Sequence, residues 1–341
     1  MTTLHHDPRQ QVNEFCAKLG SDPLLVQGAG GNVSWKSETT LWIKASGTWL
    51  KEATDKDIFV PVDLTHLRTA IANGDMGITP KLIGDSRLRP SIETLLHALM
   101  PQRFVVHLHA IDILAHIVKT GAEAELNNRL SGKISYVFTA YQKPGAQLAN
   151  AVKVALQQAP NTNVVFLQSH GLVIGGESLD EIEKTLQTLL FELRSAPLPL
   201  FQTTCSAAKT IRCNEQDYLL IEDEGIQQLA INNKLFEKLK GNWALYPDHV
   251  VFLGATPCCF DSLEHWQQMP GDAQAYADLV FIRDRGVYAN TQFGMAKLVQ
   301  LRCYYDVISR TGDDTLSSLE NEQIAQLLNW DAEQYRQHLS K

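Results

Sequence analysis

A chain of 341 residues, 44% hydrophobic and 20% charged, has the composition of a globular protein and the length of one large domain or two ordinary ones. Its net charge of −8 at pH 7 is spread along the sequence, which argues against nucleic acid or an acidic membrane surface as a partner and leaves small molecules. Cys16, Cys205, Cys213, Cys258, Cys259 and Cys303 form no Cys-x-x-Cys spacing, so no disulfide framework is expected.

The opening, MTTLHHDPRQQ, lacks the apolar stretch of a signal peptide, and no run approaches the roughly 18 apolar residues that span a bilayer. A soluble, cytoplasmic protein is expected, with His5 and His6 in a mobile polar terminus. Residues 9–19 carry helical spacing. LLVQGAGGNVSWKS and TTLWIKASG then read as strand, glycine turn, strand and strand. SIETLLHALM, 91–100, predicts a helix whose start, with Ser91 and Thr94, resembles capping chemistry. It feeds the strand RFVVHLHA, and IDILAHIVKTG is helical again as far as Gly121. NTNVVFLQSHGLVIGG predicts two short strands bent at His170 and Gly171, and SLDEIEKTLQTLLFELRSA an amphipathic helix. This interleaving predicts an α/β layered domain over residues 1–195.

Residues 196–215 lose the periodicity and carry two prolines, so the boundary falls there and a smaller α/β domain is expected over 216–341. Within it, LYPDHVVFLGA (245–255) is similar to LMPQRFVVHLHA (99–110), and LVFIRDRGVYAN (279–290) to VVFLQSHGLVIG (164–175). The second domain therefore reads as a degenerate repeat of the first, or as a chance likeness between strands. In a repeat, Phe252, Gly254 and Arg285 replace His107, His109 and His170, and no metal is held.

VVHLHAIDILAH, residues 105–116, puts three histidines into an apolar stretch, where an imidazole must find partners for both ring nitrogens. Strand side chains alternate, so His107 and His109 point one way while Val106 and Leu108 point the other. A lone His-x-His is ordinarily a hydrogen-bonded pair. With His170 in a glycine-flanked turn and Glu93 close by, the set reads instead as metal ligands. Three neutral imidazoles suit a divalent transition metal, and three protein ligands with a vacant position mark a catalytic zinc. Such a site keeps its double positive charge for an anionic intermediate. His97 and His116, on flanking helices, read as packing or supporting residues. Gly28, Gly30 and Gly31 let the backbone approach an anion and aim amides at it, with Asn32 adding a side-chain amide, although GAGGN alone also reads as a tight turn. Taken alone, Glu93 reads as an exposed carboxylate in a helix's first turn. Cys258 and Cys259, after a predicted strand, read as buried thiols with no partner histidine.

In order, GAGGNVS (28–34), KASG (44–47), PSIE (90–93), HLHA (107–110) and QSHGL (168–172) resemble the class II aldolase/adducin family over about residues 10–195. LVQGAGGNVSWKSETTLWIKASGTWL and RPSIETLLHALMP are more closely similar to the aldolase portion of bifunctional rhamnulose-1-phosphate aldolase/alcohol dehydrogenase proteins, although no GxGxxG loop or dehydrogenase half follows. The resemblance implies a class II aldolase-like α/β layered fold: a central, mainly antiparallel sheet flanked by helices, plus the smaller C-terminal α/β domain. It implies that His107, His109 and His170 bind Zn2+, or another divalent transition metal, and that Glu93 moves a proton during carbon–carbon cleavage. It gives Gly30, Gly31, Asn32, Ser46, Gly47 and Ser91 as the cradle of the substrate's phosphate.

Two departures stand out. Where the family has two serines before the glutamate, this chain has Ser91 then Ile92, with Arg87 and Arg89 nearby either to compensate or to sit in solvent. The interval from Glu93 to His107 is also shorter than in fuculose-phosphate aldolase, which implies a trimmed helix–strand loop. Tyr141, in FTAYQKPG, reads as a substrate-side residue near a subunit boundary or as an aromatic anchored by Pro144-Gly145. The implied activity is that of a zinc-dependent lyase, cleaving a ketose, most simply a 1-phosphate, into a dihydroxyacetone-type fragment and an aldehyde through a metal-bound enediolate. The same centre would serve a sugar-phosphate 4-epimerase or dehydratase, and an adducin-like binding protein would need no chemistry at all. The partners expected are a small sugar or sugar phosphate and further copies of the chain, as a tetramer or dimer.

Overall fold

In chain order, the first part of the molecule runs α1 (Arg9–Gly20), β1 (Asn32–Lys36), β2 (Thr40–Lys44), β3 (Phe59–Asp63), α2 (Leu64–Asn73), α3 (Thr94–Leu99) and β4 (Phe104–Leu108). It continues with α4 (Ile111–Ile117), α5 (Ala122–Leu130), β5 (Val137–Thr139), α6 (Ala146–Gln158), β6 (Val164–Leu167), β7 (Gly171–Gly176) and α7 (Leu179–Glu192). This computed structural model describes residues 7–201, 208–213, 216–268 and 277–339; His5, His6 and Cys205 lie outside the described residues. The seven strands form one sheet in the order β3-β2-β1-β4-β7-β6-β5, antiparallel throughout except for the β5–β6 pair. The layered, mainly antiparallel α/β fold is thus present.

Local chemistry sets the ends of these elements. The Asp63 carboxylate accepts from His66 N to open α2, and Gly74, at φ 77°, closes it in the left-handed region. Ser178 caps α7 in the same way, and Ile182, Leu186 and Leu189 turn one stripe of that helix inward. Strands β4 and β7 are buried along their whole length, which explains their nearly unbroken apolar runs. One apolar cluster includes Leu41, Ile43, Val60, Val62 and Leu67, and another Leu96, Val105, Val152, Val165 and Val173. Each such side chain contributes about 1.5–3 kcal/mol on burial.

Two expectations change here. LLVQ is not a strand, because Leu25 N and Val26 N both donate to Asp22 O and wrap the segment into turns. The helix predicted from Ser91 begins only at Thr94. Glu93 N donates to Ser91 Oγ and Thr94 Oγ1 to Ser91 O, closing a side-chain turn that takes the place of the first helical residues.

The second part runs β8 (Thr210–Cys213), β9 (Gln216–Leu220), α8 (Glu224–Ile231), α9 (Asn233–Gly241), α10 (Pro247–Leu253), β10 (Cys259–Phe260) and α11 (Leu263–Gln267). It ends with β11 (Leu279–Ile282), β12 (Gly286–Ala289), α12 (Met295–Ile308) and α13 (Asn321–Leu328), and the last helix of the chain is α14 (Asp331–Leu339). The strands form a five-stranded sheet, β10-β11-β12-β9-β8, with only the β10–β11 pair parallel. The strand expected at 245–255 is instead helix α10. Pro247 opens its first turn and Gly254, at φ 87°, follows its end; that pairing marks a helix despite the β-prone Val-Val-Phe between them. Phe252 and Gly254 are therefore not strand counterparts of the two histidines.

The chain divides into two compact units, one of Met1–Ile117, Gly121–Arg194 and Trp330–Ser340, the other chiefly Ser195–Asn329. Helix α14, expected within the second domain, groups with the first unit. Among the described residues no helix is long and apolar enough to cross a membrane.

Candidate metal centre

The pleat of β4 and the turn after β6 bring His107, His109 and His170 together, with one ligand atom from each lying within 4.8 Å of the others. All three are buried. Gly171 makes the approach possible: a Cβ there would lie 2.5 Å from Leu108 O, 2.9 Å from His107 Cε1 and 3.0 Å from His109 Cδ2. No other residue fits between the turn and the two imidazoles.

His107 Nδ1 lies 3.1 Å from Leu172 O. A carbonyl can only accept, so the ring carries its proton on Nδ1 and turns an Nε2 lone pair inward. That Nε2 lies 3.0 Å from His109 Nε2. Burial, and then the neighbouring His109, His170 and His97 rings, hold the His107 pKa well below the ordinary histidine range, against the opposing bond to Leu172 O. The ring is neutral at pH 7, as a ligand must be.

Glu93 joins the cluster. Its Oε2 lies 3.4 Å from His107 Nε2 and its Oε1 3.4 Å from His170 Nε2. Asn32 Nδ2 donates to Glu93 Oε2 at 2.7 Å. The β1–β4 register, which sets Asn32 opposite His107, places the amide there. The residues present fit a divalent ion. A tetrahedral zinc with Zn–N of about 2.0–2.1 Å spaces its ligand nitrogens by roughly 3.3 Å, close to the separation of the two Nε2 atoms.

His97 supports the centre from behind. Its Nδ1 meets Ser34 Oγ at 2.8 Å, and burial, with Lys36 and Lys44 nearby, lowers its pKa to about 3. His116 is engaged elsewhere, Nδ1 with Glu125 Oε1 at 2.9 Å and Nε2 with Leu193 O at 2.8 Å, which makes it a packing residue.

The expected phosphate cradle is occupied in part by the protein itself. Gly28, Gly31 and Gly47 have positive φ and form its turns. Gly30 N donates to Gln27 O and Ser46 N to Arg89 O; Ser91 Oγ accepts from Glu93 N, and Asn32 turns to Glu93. Tyr141 is partly buried, its hydroxyl has no partner among the described residues, and burial with the charge of Glu333 pushes its pKa up. Arg89 stacks on the Tyr335 ring at 4.3 Å, and Lys143 Nζ sits 4.5 Å from the Trp330 ring. Trp330, Glu333, Tyr335 and Leu339 carry no motif, and sequence reasoning passed over them. Cys258 and Cys259 are free, and burial raises the Cys259 pKa to about 12, which rules out a thiolate nucleophile at neutral pH.

A sheet of this order carrying three inward imidazoles and a carboxylate defines an α/β unit with a buried cluster that could hold a metal ion. The family described as Class II Aldolase and Adducin N-terminal domain matches residues 10–193, more than half of the chain, and the chain belongs to that family. It is 26% identical over 306 residues, 77% of this chain and 43% of that protein, to a Bacillus subtilis (strain 168) protein named Uncharacterized oxidoreductase YuxG, and so spans less than half of that relative's length. It is also 26% identical, over 195 residues covering 51% of this chain and 75% of that protein, to the methylthioribulose-1-phosphate dehydratase of Lachancea thermotolerans (strain ATCC 56472 / CBS 6340 / NRRL Y-8284). Among solved structures, the N-terminal class II aldolase domain of a conserved Thermoplasma acidophilum protein is 24% identical with a TM-score of 0.47, covering 57% of this chain and 94% of that one. An L-fuculose-1-phosphate aldolase from Thermus thermophilus is 18% identical with a TM-score of 0.38, covering 55% of this chain and 93% of that one.

Proposed function

We propose that the first unit is a zinc-dependent lyase centre that cleaves a ketose 1-phosphate into a dihydroxyacetone-type fragment and an aldehyde. The observation that carries this reading is the placement of one buried carboxylate, Glu93, within 3.4 Å of imidazoles from two separate segments. An ion held by His107, His109 and His170 would supply an electrophile for the substrate's carbonyl and adjacent hydroxyl oxygens, worth several kcal/mol of barrier. The distal hydroxyl gives its proton to the Glu93 carboxylate as the carbon–carbon bond breaks; the bonding pair passes to the carbonyl to give the enediolate, and the aldehyde leaves. Glu93 delivers a proton to the enediolate carbon, or removes it in the condensation direction. Asn32 fixes the carboxylate for that transfer through its 2.7 Å bond to Oε2. Tyr141, protonated across the physiological range, offers a hydroxyl donor at the substrate's edge.

The likeness to a sugar-phosphate dehydratase favours one second reading, in which the same proton abstraction expels a hydroxyl instead of splitting the chain. Product analysis separates the two. Cleavage releases a free aldehyde, whereas dehydration keeps the carbon skeleton and loses water. The purified protein is expected to carry about one zinc per chain. Glu93→Gln is expected to keep that zinc and to lose turnover by roughly 10³-fold. Undiminished turnover in this variant would overturn the role of Glu93, and metal-free protein that remains active would overturn the class.

A further inference from the structure

Strands β4 and β6 both run antiparallel to β7, and β5 runs parallel to β6, so the C-terminal ends of β4, β5 and β6 lie at one end of the sheet. His109 follows β4 and His170 follows β6. At the same end β5 closes on Thr139, with Tyr141 two residues further on. Gln168 N donates to Thr139 O at 2.9 Å, which ties the end of β5 to the turn that carries His170.

The register also fixes the face. Residues paired across neighbouring strands point to the same side of a sheet, and so do residues two apart on one strand. The pairs His107–Val173, Val173–Val165 and Val165–Val137 therefore put Val137 on the side that bears His107, and Thr139 shares it. The pairs Gly171–Leu167 and Leu167–Thr139 make the next row. At about 4.8 Å per strand, Thr139 stands roughly 10 Å along that row from Gly171. Gly171 is the glycine on which the His107 and His109 rings lie.

Val137 packs against the apolar cluster of Leu96, Val105, Val165 and Val173, and a second valine at 139 would extend that surface. The chain has a threonine instead. Thr139 is 7% exposed, and neither its Oγ1 nor the Tyr141 hydroxyl has a hydrogen-bond partner among the described residues. Burying a hydroxyl without a partner costs stability, and nearly all buried polar groups find one. Two such hydroxyls within three residues, at the sheet end that carries the imidazoles, point to a partner that a ligand brings. A neutral hydroxyl both donates and accepts, so its match is another hydroxyl.

We propose that Thr139, beside Tyr141, is a specificity-determining residue that hydrogen-bonds a hydroxyl group on the aldehyde fragment of the substrate, so that polyhydroxylated ketoses are taken in preference to deoxy ones. This rests on the reading of the first unit as a ketose-phosphate lyase. The reacting carbons stay at the imidazoles, and the rest of the carbon chain extends along the row toward β5.

The test uses the full-length, metal-loaded protein carrying Glu93→Gln, which holds a sugar phosphate without turnover, and reads binding by calorimetry. The probes are fructose 1-phosphate and dihydroxyacetone phosphate, which lacks the aldehyde fragment. Thr139→Val is expected to weaken fructose 1-phosphate about 10-fold, the loss of one hydroxyl contact, and to leave dihydroxyacetone phosphate unchanged. The same substitution removes an unpartnered buried hydroxyl, so it is expected to raise the unfolding midpoint, the opposite of what a structural role predicts. Thr139→Ser, which keeps the hydroxyl, is expected to keep the affinity for fructose 1-phosphate. Unchanged fructose 1-phosphate affinity in Thr139→Val, an equal loss for both probes, or a lowered unfolding midpoint overturns the proposal. Thr139-dependent binding in a protein that, with Glu93 restored, cleaves no sugar sinks the lyase reading alone. Cleavage with a KM indifferent to Thr139 sinks this inference alone, and binding of neither probe sinks both.

Discussion

The turn between β6 and β7 and the turn between β11 and β12 share one hydrogen-bonding pattern and differ in almost every side chain. Ser169 and Asp284 both sit in the left-handed region, at φ 52° and 56°. His170 N donates to Leu167 O and Arg285 N to Ile282 O; Ser169 N donates to Ile117 O at the end of α4 and Asp284 N to Ala230 O near the end of α8. His107 pairs with Val173, two residues past Gly171, as Leu220 pairs with Tyr288, two residues past Gly286. A Cβ on Gly171 would meet His107 and one on Gly286 would meet Leu220. In this register Leu220, Glu222 and Arg285 stand where the first unit has His107, His109 and His170. The strained residue before the turn's third position therefore belongs to the fold and is no sign of a site. What makes the first turn a candidate metal centre is the set of three imidazoles and the glycine that admits them.

The sharpest way to break this contrast is to remove the third position from each turn. His170→Ala is expected to drop bound metal from about one equivalent to less than roughly a tenth, with turnover falling by roughly 10³-fold or more, because two imidazoles do not hold a catalytic zinc. Arg285→Ala, on an exposed residue, is expected to leave metal and turnover unchanged and to move stability by no more than about 0.5 kcal/mol. Elemental analysis of gel-filtered protein reads both, and metal retained in His170→Ala would dissolve the distinction. The glycines come next in size. Gly171→Ala drives a methyl against the Leu108 carbonyl and two imidazoles, so it is expected to cost about 2–4 kcal/mol and to lower metal occupancy as well. Gly286→Ala, at φ 145° and against the flexible side chains of Gln227 and Leu220, is expected to cost about 1–2 kcal/mol with metal occupancy untouched. Denaturant unfolding with parallel metal analysis distinguishes a damaged site from a damaged fold.

The difference between the two turns also marks where the sequence was legible. His107, His109, His170 and Gly171 could be read as a convergent set because strand alternation and a glycine turn are local properties, carried by neighbouring residues. The partner of Asn32 could not, since the bond to Glu93 depends on a β1–β4 register that no local pattern sets. Helix α10 was misread because Val-Val-Phe resembles a strand, although Pro247 and Gly254 already framed a helix. The placement of α14 was hidden for a different reason. Its anchors are two cations on aromatic rings and a leucine on a glycine, long-range contacts between residues that look like ordinary surface.

A pH-dependent effect concerns the two units' buried imidazoles away from the turns. In the first unit His97 has Ser34 as a partner; in the second His249 packs edge-on against Trp243, Tyr246 and Tyr304, and neither of its ring nitrogens has a hydrogen-bond partner among the described residues. Burial lowers the His249 pKa from 6.5 to about 3. Between those values the unfolded chain takes up a proton that the folded chain refuses, so stability is lost as pH falls below about 6.5, by about 1.4 kcal/mol per pH unit once well below it. His249→Phe keeps a ring in the aromatic cage and removes the proton site. At pH 5 the wild-type protein is expected to have lost roughly 2 kcal/mol relative to pH 7 that the variant keeps. The shift of His97 is present in both proteins and cancels in the comparison. Denaturant unfolding at pH 7 and pH 5 measures the difference, and equal acid losses in the two proteins would mean that His249 is protonated inside the fold.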